Sequence, residues 1–186
     1  METTNQSVCP WWLGYTFLIP LRKYQHDPYK IIGPHLKQGM TVMDYGCAMG
    51  YFSIPLAKMT GSKGTVYCVD IQEKMLTKLK KRAEKHNVST VIKTLQVGEN
   101  YNPIELKERL DFVLLFMVAH EVPDQATLFN DLYSMLKPGG KILFFEPQGH
   151  VKPDDFEKSL QLANAVGFKI SEEKPLKKGL GVFLVK

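Results

Sequence analysis

The feature that most constrains this 186-residue chain is a strand–helix rhythm in which the strands are strongly apolar. The sharpest case is Asp111-Phe-Val-Leu-Leu-Phe-Met-Val118, eight residues with a single charge at the start. A strand so composed must be covered on both faces, which a one-sided antiparallel sheet does not provide. Residues 41–45, 65–70, 91–97 and 141–146 read as further strands. Between them lie helical segments at 51–58, 72–86, 125–136 and 154–166. Residues 72–86 put Met75, Leu76, Leu79 and Ala83 on one face and lysines on the other. Pro55 is tolerable only in the first turn of its helix. Lys-Pro-Gly-Gly at 137–140 and Gly167 each stop a helix. Regular alternation of this kind predicts an α/β protein, a parallel sheet with helices on both faces. The last two strands, 168–174 and 180–185, have no helix between them, so they join as an antiparallel hairpin.

Composition narrows the class further. With 44% apolar and 23% charged residues, the chain is an ordinary folded domain rather than a disordered or fibrous one. At roughly 150 residues per domain there is room for one full core. The net charge of +5 permits an anionic partner without requiring one. The basic clusters at Lys78, Lys80, Lys81, Arg82 and Lys85, and at Lys174, Lys177 and Lys178, read as solvated faces. Cys9, Cys47 and Cys68 form no Cys-x-x-Cys pair, and a reducing cytoplasmic setting is expected. No residues pattern as a metal site. The start lacks the pattern of a secretory leader, and the apolar stretch 11–21 is too short to span a bilayer. A soluble protein is expected.

In an open parallel sheet, ligands bind beyond the carboxyl ends of the strands, where strand order reverses. The first strand ends in Asp44-Tyr-Gly-Cys-Ala-Met-Gly50, whose Gly46 and Gly50 allow a tight turn and close approach to a ligand. Asp70 ends the second strand twenty residues after Gly50, a placement suited to accepting hydrogen bonds from a ribose diol. The turn reads G-x-A-x-G followed by bulky Tyr51 and Phe52, leaving no seat for a pyrophosphate. A dinucleotide is therefore disfavoured, and a ligand with ribose and adenine but no phosphate fits better. Ala48 adds a methyl group to the turn, which is expected to require a negative φ there.

Together these residues resemble the class I S-adenosylmethionine-dependent methyltransferases, from about Gly39 onward. Val42–Gly50 (VMDYGCAMG) is similar to their first motif and Val66–Leu76 to their second-strand motif. Strand 111–118 with AHEVPD at 119–124 resembles their fourth-strand region, and Leu136–Pro147 (LKPGGKILFFEP) their fifth. The resemblance implies a Rossmann-like three-layer sandwich, its seven-stranded, mostly parallel sheet ending in an antiparallel hairpin. It also implies S-adenosyl-L-methionine as cofactor. By position, Asp44, Gly46, Cys47, Ala48 and Gly50 would line its methionine moiety. Asp70 would bind the ribose and Ile71 would pack on adenine. Gly98, Glu99 and Asn100 would meet the adenine amine, and the Phe116 region the amino group. Asp44 has an alternative role capping the following turn, while Cys47, Cys68, Met75 and Leu79 read as packing residues.

Methyl transfer from a sulfonium needs alignment and exclusion of water, with a general base only for a protonated nucleophile. His120 is the candidate base, with a structural hydrogen bond in its loop as the alternative. Glu121 and Glu146 stand near the same strand ends. Residues 1–38 lie outside the catalytic domain expected at 39–186, and they are rich in aromatics. They are expected to cap the site, with Trp12, Tyr15, Tyr24 and His26 joining His120 and Glu146 as substrate-facing residues. An aromatic wall would attract a sulfonium. The alternative is that they cover a sheet face or a partner copy, which would make a homodimer. Nucleic acid is disfavoured, since AHEVPD lacks the Pro-Pro-aromatic run of amino-methylating enzymes and no cysteine lies near that strand. A small-molecule acceptor is expected, with oxygen, nitrogen, sulfur and carbon all open. A non-catalytic binding subunit and an RNA methyltransferase are the other readings.

Overall fold

The computed structural model describes residues 22–98, 103–173 and 179–186. Seven strands form one sheet: β1 (Thr41–Tyr45), β2 (Thr65–Asp70), β3 (Ile92–Gln96), β4 (Leu110–Phe116), β5 (Leu136–Pro147), β6 (Lys169–Glu173) and β7 (Gly179–Val185). Their order is β3-β2-β1-β4-β5-β7-β6. β1 pairs in parallel with β2 and β4, and β7 runs antiparallel to both β5 and β6. The expected three-layer fold and terminal hairpin are present.

Side-chain alternation along the strands builds two cores, one on each face. Phe112, Leu114 and Phe116 of β4 join Val42, Val66 and Cys68 beneath α3 (Ser53–Thr60) and α4 (Glu73–Lys85). Val113 and Leu115 join Met43 and Phe144 on the opposite face, beneath α5 (Gln125–Met135) and α6 (Pro153–Val166). Two single-turn helices, α1 (Arg22–Gln25) and α2 (Pro28–Ile31), precede the sheet, and Ile31 and Ile32 pack into the first core. The helix boundaries follow local chemistry. The Asp124 carboxylate accepts the Thr127 N–H at 3.0 Å to start α5, while α6 opens on Pro153 and ends at Gly167 with φ +119°.

One boundary departs from expectation. The Lys-Pro-Gly-Gly stretch is part of β5 rather than a turn before it, because Leu136, fully buried, already pairs with Leu110. A register shift follows, and Gly139 adopts φ +77° while its N–H donates to the Lys186 carbonyl.

Candidate active site

Strand order reverses between β1 and β4, and a cleft open to solvent lies beyond their carboxyl ends. Its walls come from Tyr45 at the end of β1 and Gly46 and Ala48 after it, from Asp70 to Gln72 and Met75 at β2 and α4, from Val97 after β3, and from Met117, Val118, Glu121, Val122 and Pro123 after β4, while the expected His120 lies outside this lining.

The turn after β1 is held onto β2. The Gly46 and Cys47 N–H groups both donate to the Val69 carbonyl, at 2.8 and 2.9 Å. Gly46 has φ +74°, and a Cβ there would stand 2.4 Å from Cγ2 of Val118, so only glycine lets the two strand ends approach. Ala48 overturns the expectation of a negative φ. It sits at φ +46°, a left-handed conformation that costs an L-residue about 1–2 kcal/mol. The fold supplies a restraint, since the Ala48 N–H donates to Oδ2 of Asp70 at 2.9 Å.

Asp70 therefore organises the turn before it meets any ligand. Its Oδ1 also accepts the Gln72 N–H at 2.8 Å, leaving lone pairs free on both oxygens, as an ionised carboxylate offers about four. Burial raises its pKa, opposed by the backbone donors of Gln72, Ala48 and Ile71. Beside it, Ile71 is 54% exposed, an apolar side chain left facing the cleft. Tyr45 is pushed up to about 12 by burial and by the carboxylates of Asp131 and Asp70, so it stays a neutral phenol.

The turn after β4 carries a second constellation, of which only Glu121 lines the cleft. Glu146, at the end of β5 and buried, accepts the His120 backbone N–H on Oε1 at 3.2 Å. Its Oε2 lies 2.5 Å from Nδ1 of the same residue. The pairing raises the His120 pKa against the opposing effect of burial. Next in the chain, Glu121 lines the cleft and is raised by desolvation, with His120 pulling it back. The turn Ala119–Glu121 is buttressed from α6, because Ser159 donates to Gln125 Oε1 at 2.6 Å and Gln125 Nε2 donates to the Ala119 carbonyl at 3.0 Å.

Of the expected cofactor residues, Gly46, Ala48, Asp70 and Ile71 meet at the cleft. Asp44 lies inside, accepting from Ser53 Oγ at 2.5 Å and tying β1 to α3. Cys47 is buried, its thiol raised by burial and by Cys68 beside it, so it packs rather than reacts. Gly50 lets α4 come close, since a Cβ would stand 3.0 Å from Leu79 Cδ1. The Phe116 ring turns away from the cleft to stack on Phe145 at 4.4 Å. Gly98 is exposed outside the cleft wall, and Glu99 and Asn100 lie outside the described residues.

Among the expected substrate residues, His26 is buried edge-on against Phe116 and Phe145, at 5.2 and 5.5 Å. Tyr24 is 83% exposed, and Glu146 is engaged by His120 rather than facing the cleft. Trp12 and Tyr15 lie outside the described residues. The cleft is also lined by Tyr45, Gln72, Met75, Val97, Met117, Val118, Val122 and Pro123, none of them an expected site residue. Met75 is buried on the apolar face of α4 as expected, and its place in the first turn of that helix also puts it at the cleft. Val122 and Pro123 lie in AHEVPD, where an apolar side chain carries no group that marks it as a site residue.

The cleft thus pairs a carboxylate beside an exposed aliphatic side chain with a close-approach glycine turn, and a carboxylate–imidazole pair lies next to Glu121, outside the lining. A family model described as a methyltransferase domain matches residues 36–178, well over half the chain. The chain belongs to this methyltransferase family. It also has distant curated relatives. It is 27% identical over 124 residues to the demethylmenaquinone methyltransferase of Geobacillus sp. (strain WCH70), covering 67% of this chain and 51% of that protein. It is 30% identical over 126 residues to malonyl-[acyl-carrier protein] O-methyltransferase 1 of Ilyobacter polytropus, covering 67% and 44%. The chain spans about half the length of the curated relatives it matches. In fold it resembles a solved S-adenosylmethionine-dependent methyltransferase from Aquifex aeolicus, with a TM-score of 0.84 at 24% identity, covering 96% of this chain and 99% of that one.

The residues of this methyltransferase-family cleft fit the family's cofactor. Asp70 keeps acceptor capacity for a diol and Ile71 offers an apolar face for a base, beside the backbone of Gly46 and Ala48. No described helix is long and apolar enough to cross a membrane. Among the described residues no three His, Cys, Asp or Glu side chains are grouped to hold a metal ion.

Proposed function

We propose that this protein transfers a methyl group from S-adenosyl-L-methionine to a small-molecule acceptor in the cytoplasm. The observation that carries the reading is Asp70, braced by Ala48 and Gln72 with lone pairs to spare, beside exposed Ile71. Bound S-adenosylmethionine supplies an electrophilic methyl group. In this reading Asp70 accepts from the ribose hydroxyls while Ile71, Met75 and Val97 contact the adenine. Gly46 and Ala48 border the methionine moiety, near the Phe116 backbone carbonyl. Gly98, Glu99 and Asn100 close the adenine edge. Asp44, Cys47 and Gly50 act from inside, by fixing the turn. His120 is the base for an acceptor that carries a proton.

Residues 1–38 form the cap in this proposal, with 39–186 as the cofactor-binding unit. Burial of His26 at the carboxyl ends of β4 and β5, with its carbonyl accepting from Tyr51 Oη at 2.9 Å, supports a cap at that edge. Trp12, Tyr15 and Tyr24 are its remaining substrate-facing candidates. The alternative role, a contact in a homodimer, is read out by sedimentation velocity. Nucleic acid is not assigned as a partner, because the most basic helix commits Arg82 to the glycine turn, where it donates to the Met49 carbonyl. A cytoplasmic setting rests on the free thiols of Cys47 and Cys68.

Calorimetry with S-adenosylhomocysteine tests the cofactor assignment, and no binding at millimolar ligand would sink it. Transfer of labelled methyl from S-adenosylmethionine into a metabolite pool separates an enzyme from a binding subunit.

A further inference from the structure

Glu121 is the carboxylate of the cleft lining that the cofactor assignment leaves without a role. Among the described residues, that lining carries two carboxylates, Asp70 and Glu121, and neither a lysine nor an arginine. Asp70 is answered by the N–H groups of Ala48 and Gln72. Glu121 is half-buried, and among the described residues no hydrogen bond or ion pair reaches its carboxylate. Burial pushes its carboxyl up and His120 pulls it back, while Asp70 and Glu146 add repulsion and His150, from the loop after β5, adds attraction. His120 is already matched by Glu146 at 2.5 Å, so its charge is not left over for Glu121. A half-buried carboxylate without a partner is costly, and a cation in the cleft relieves that cost.

The fold holds Glu121 in place. Its N–H donates to the Val118 carbonyl at 3.0 Å, and the Val122 N–H donates to that of Ala119 at 3.0 Å. Val118 is also the side chain against which Gly46 closes, so the turn bearing Glu121 lies beside the turn assigned to the methionine moiety. Asp70, assigned to the ribose, is near enough to act on Glu121 electrostatically. In the cofactor, sulfur joins the ribose to the methionine carbons. Its positive charge belongs between the Asp70 and Gly46 walls, along the part of the cleft that Glu121 lines.

Resting on the methyltransferase reading, we propose that Glu121 selects the charged cofactor: its carboxylate meets the sulfonium, and the cleft prefers S-adenosylmethionine to S-adenosylhomocysteine. The two ligands share adenine, ribose and amino acid, and differ at sulfur by a methyl group and a positive charge. The apolar and backbone parts of the lining treat them nearly alike, and Glu121 separates them by charge. Attraction between unit charges a few ångströms apart at a protein surface exceeds thermal energy, enough to read as an affinity ratio. Because the charge leaves sulfur on transfer, this attraction serves cofactor binding and the exchange of spent for fresh cofactor, and it does not speed the chemical step.

The test is calorimetry on the full chain with three ligands: S-adenosylmethionine, S-adenosylhomocysteine, and sinefungin, in which a carbon bearing a protonated amine replaces the sulfonium. The parent should bind both cations more tightly than S-adenosylhomocysteine, by at least ~fivefold. Glu121→Gln keeps the shape and removes the charge. It should lose at least ~fivefold for each cation and stay within about twofold of the parent for S-adenosylhomocysteine, which also reports a folded cleft. Glu121→Asp, a shorter carboxylate, should keep part of the preference. A parent that holds S-adenosylhomocysteine as tightly as S-adenosylmethionine overturns the proposal. So does a Glu121→Gln variant that keeps the parent's ratio of affinities, or one that loses all three ligands together. In each of these outcomes the parent still binds S-adenosylhomocysteine, and the methyltransferase reading stands. Failure of the parent to bind any of the three overturns that reading and this inference with it.

Discussion

Ala48 offers a stability test with opposite signs for neighbouring substitutions. Its φ of +46° carries a cost of about 1–2 kcal/mol that glycine escapes. Glycine also loosens the unfolded chain, returning about 0.4–1 kcal/mol of that gain. Ala48→Gly should therefore stabilise the protein by about 0.5–1 kcal/mol, or roughly 1–4 °C at this chain length. The hydrogen bond to Asp70 Oδ2 uses the backbone N–H and survives the change. Ala48→Val has the same backbone donor, but its branched Cβ makes a left-handed φ still more costly. It should fall below the parent, because the branched side chain adds its own strain to a left-handed cost that alanine already carries. Urea unfolding of the three proteins, compared at equal m-values, gives the order glycine, alanine, valine. A glycine variant less stable than the parent, or a valine variant equal to it, would refute the claim that strain is stored at this residue.

The remaining predictions concern the same turn and the wall facing it. Asp70→Ala should weaken S-adenosylhomocysteine binding by about 1.5–3 kcal/mol, the scale of hydrogen bonds to a charged group; calorimetry showing unchanged affinity removes the ribose assignment. Gly46→Ala combines a left-handed φ with a 2.4 Å approach to Val118 and should cost about 2–5 kcal/mol. Adding Val118→Ala should recover part of that loss, because it removes the nearest atom but leaves Cβ at 2.7 Å, and additive losses would mean the two do not touch. The folded-state pKa of His120 is raised, so the stability it contributes is complete below its unfolded value near 6.5 and fades as pH climbs through the folded value. Denaturation of the parent against His120→Gln should show a gap that narrows from pH 5.5 to 8.5, and a widening gap contradicts the pairing.

Much of the fold was legible because each strand wrote its environment into its composition. The β4 run Phe112–Phe116 is buried along its whole length, and the 3.6-residue spacing of Leu76, Leu79 and Ala83 gave α4 its inward face. The site was legible in part. Gly46 and Asp70 stand at fixed offsets from strand ends, so their place at the cleft follows from topology and spacing. Asp44 and Glu146 look alike as carboxylates near strand ends, yet one bonds Ser53 and the other grips His120. Such pairings join residues nine and 26 positions apart through the geometry of the sheet, and local spacing carries no record of them.

By itself, then, the sequence determined the alternation of elements, the two buried sheet faces and the terminal hairpin. These depend on hydrophobic period and turn chemistry, which act over a few residues. Tertiary structure alone decided the sign of φ at Ala48, the extension of β5 back to Leu136, and the partner of each buried polar group. A left-handed alanine becomes affordable only where Asp70, 22 residues away, takes its N–H. A buried carboxylate is tolerable only where the fold brings a donor to it, and that meeting is arranged by the packed sheet.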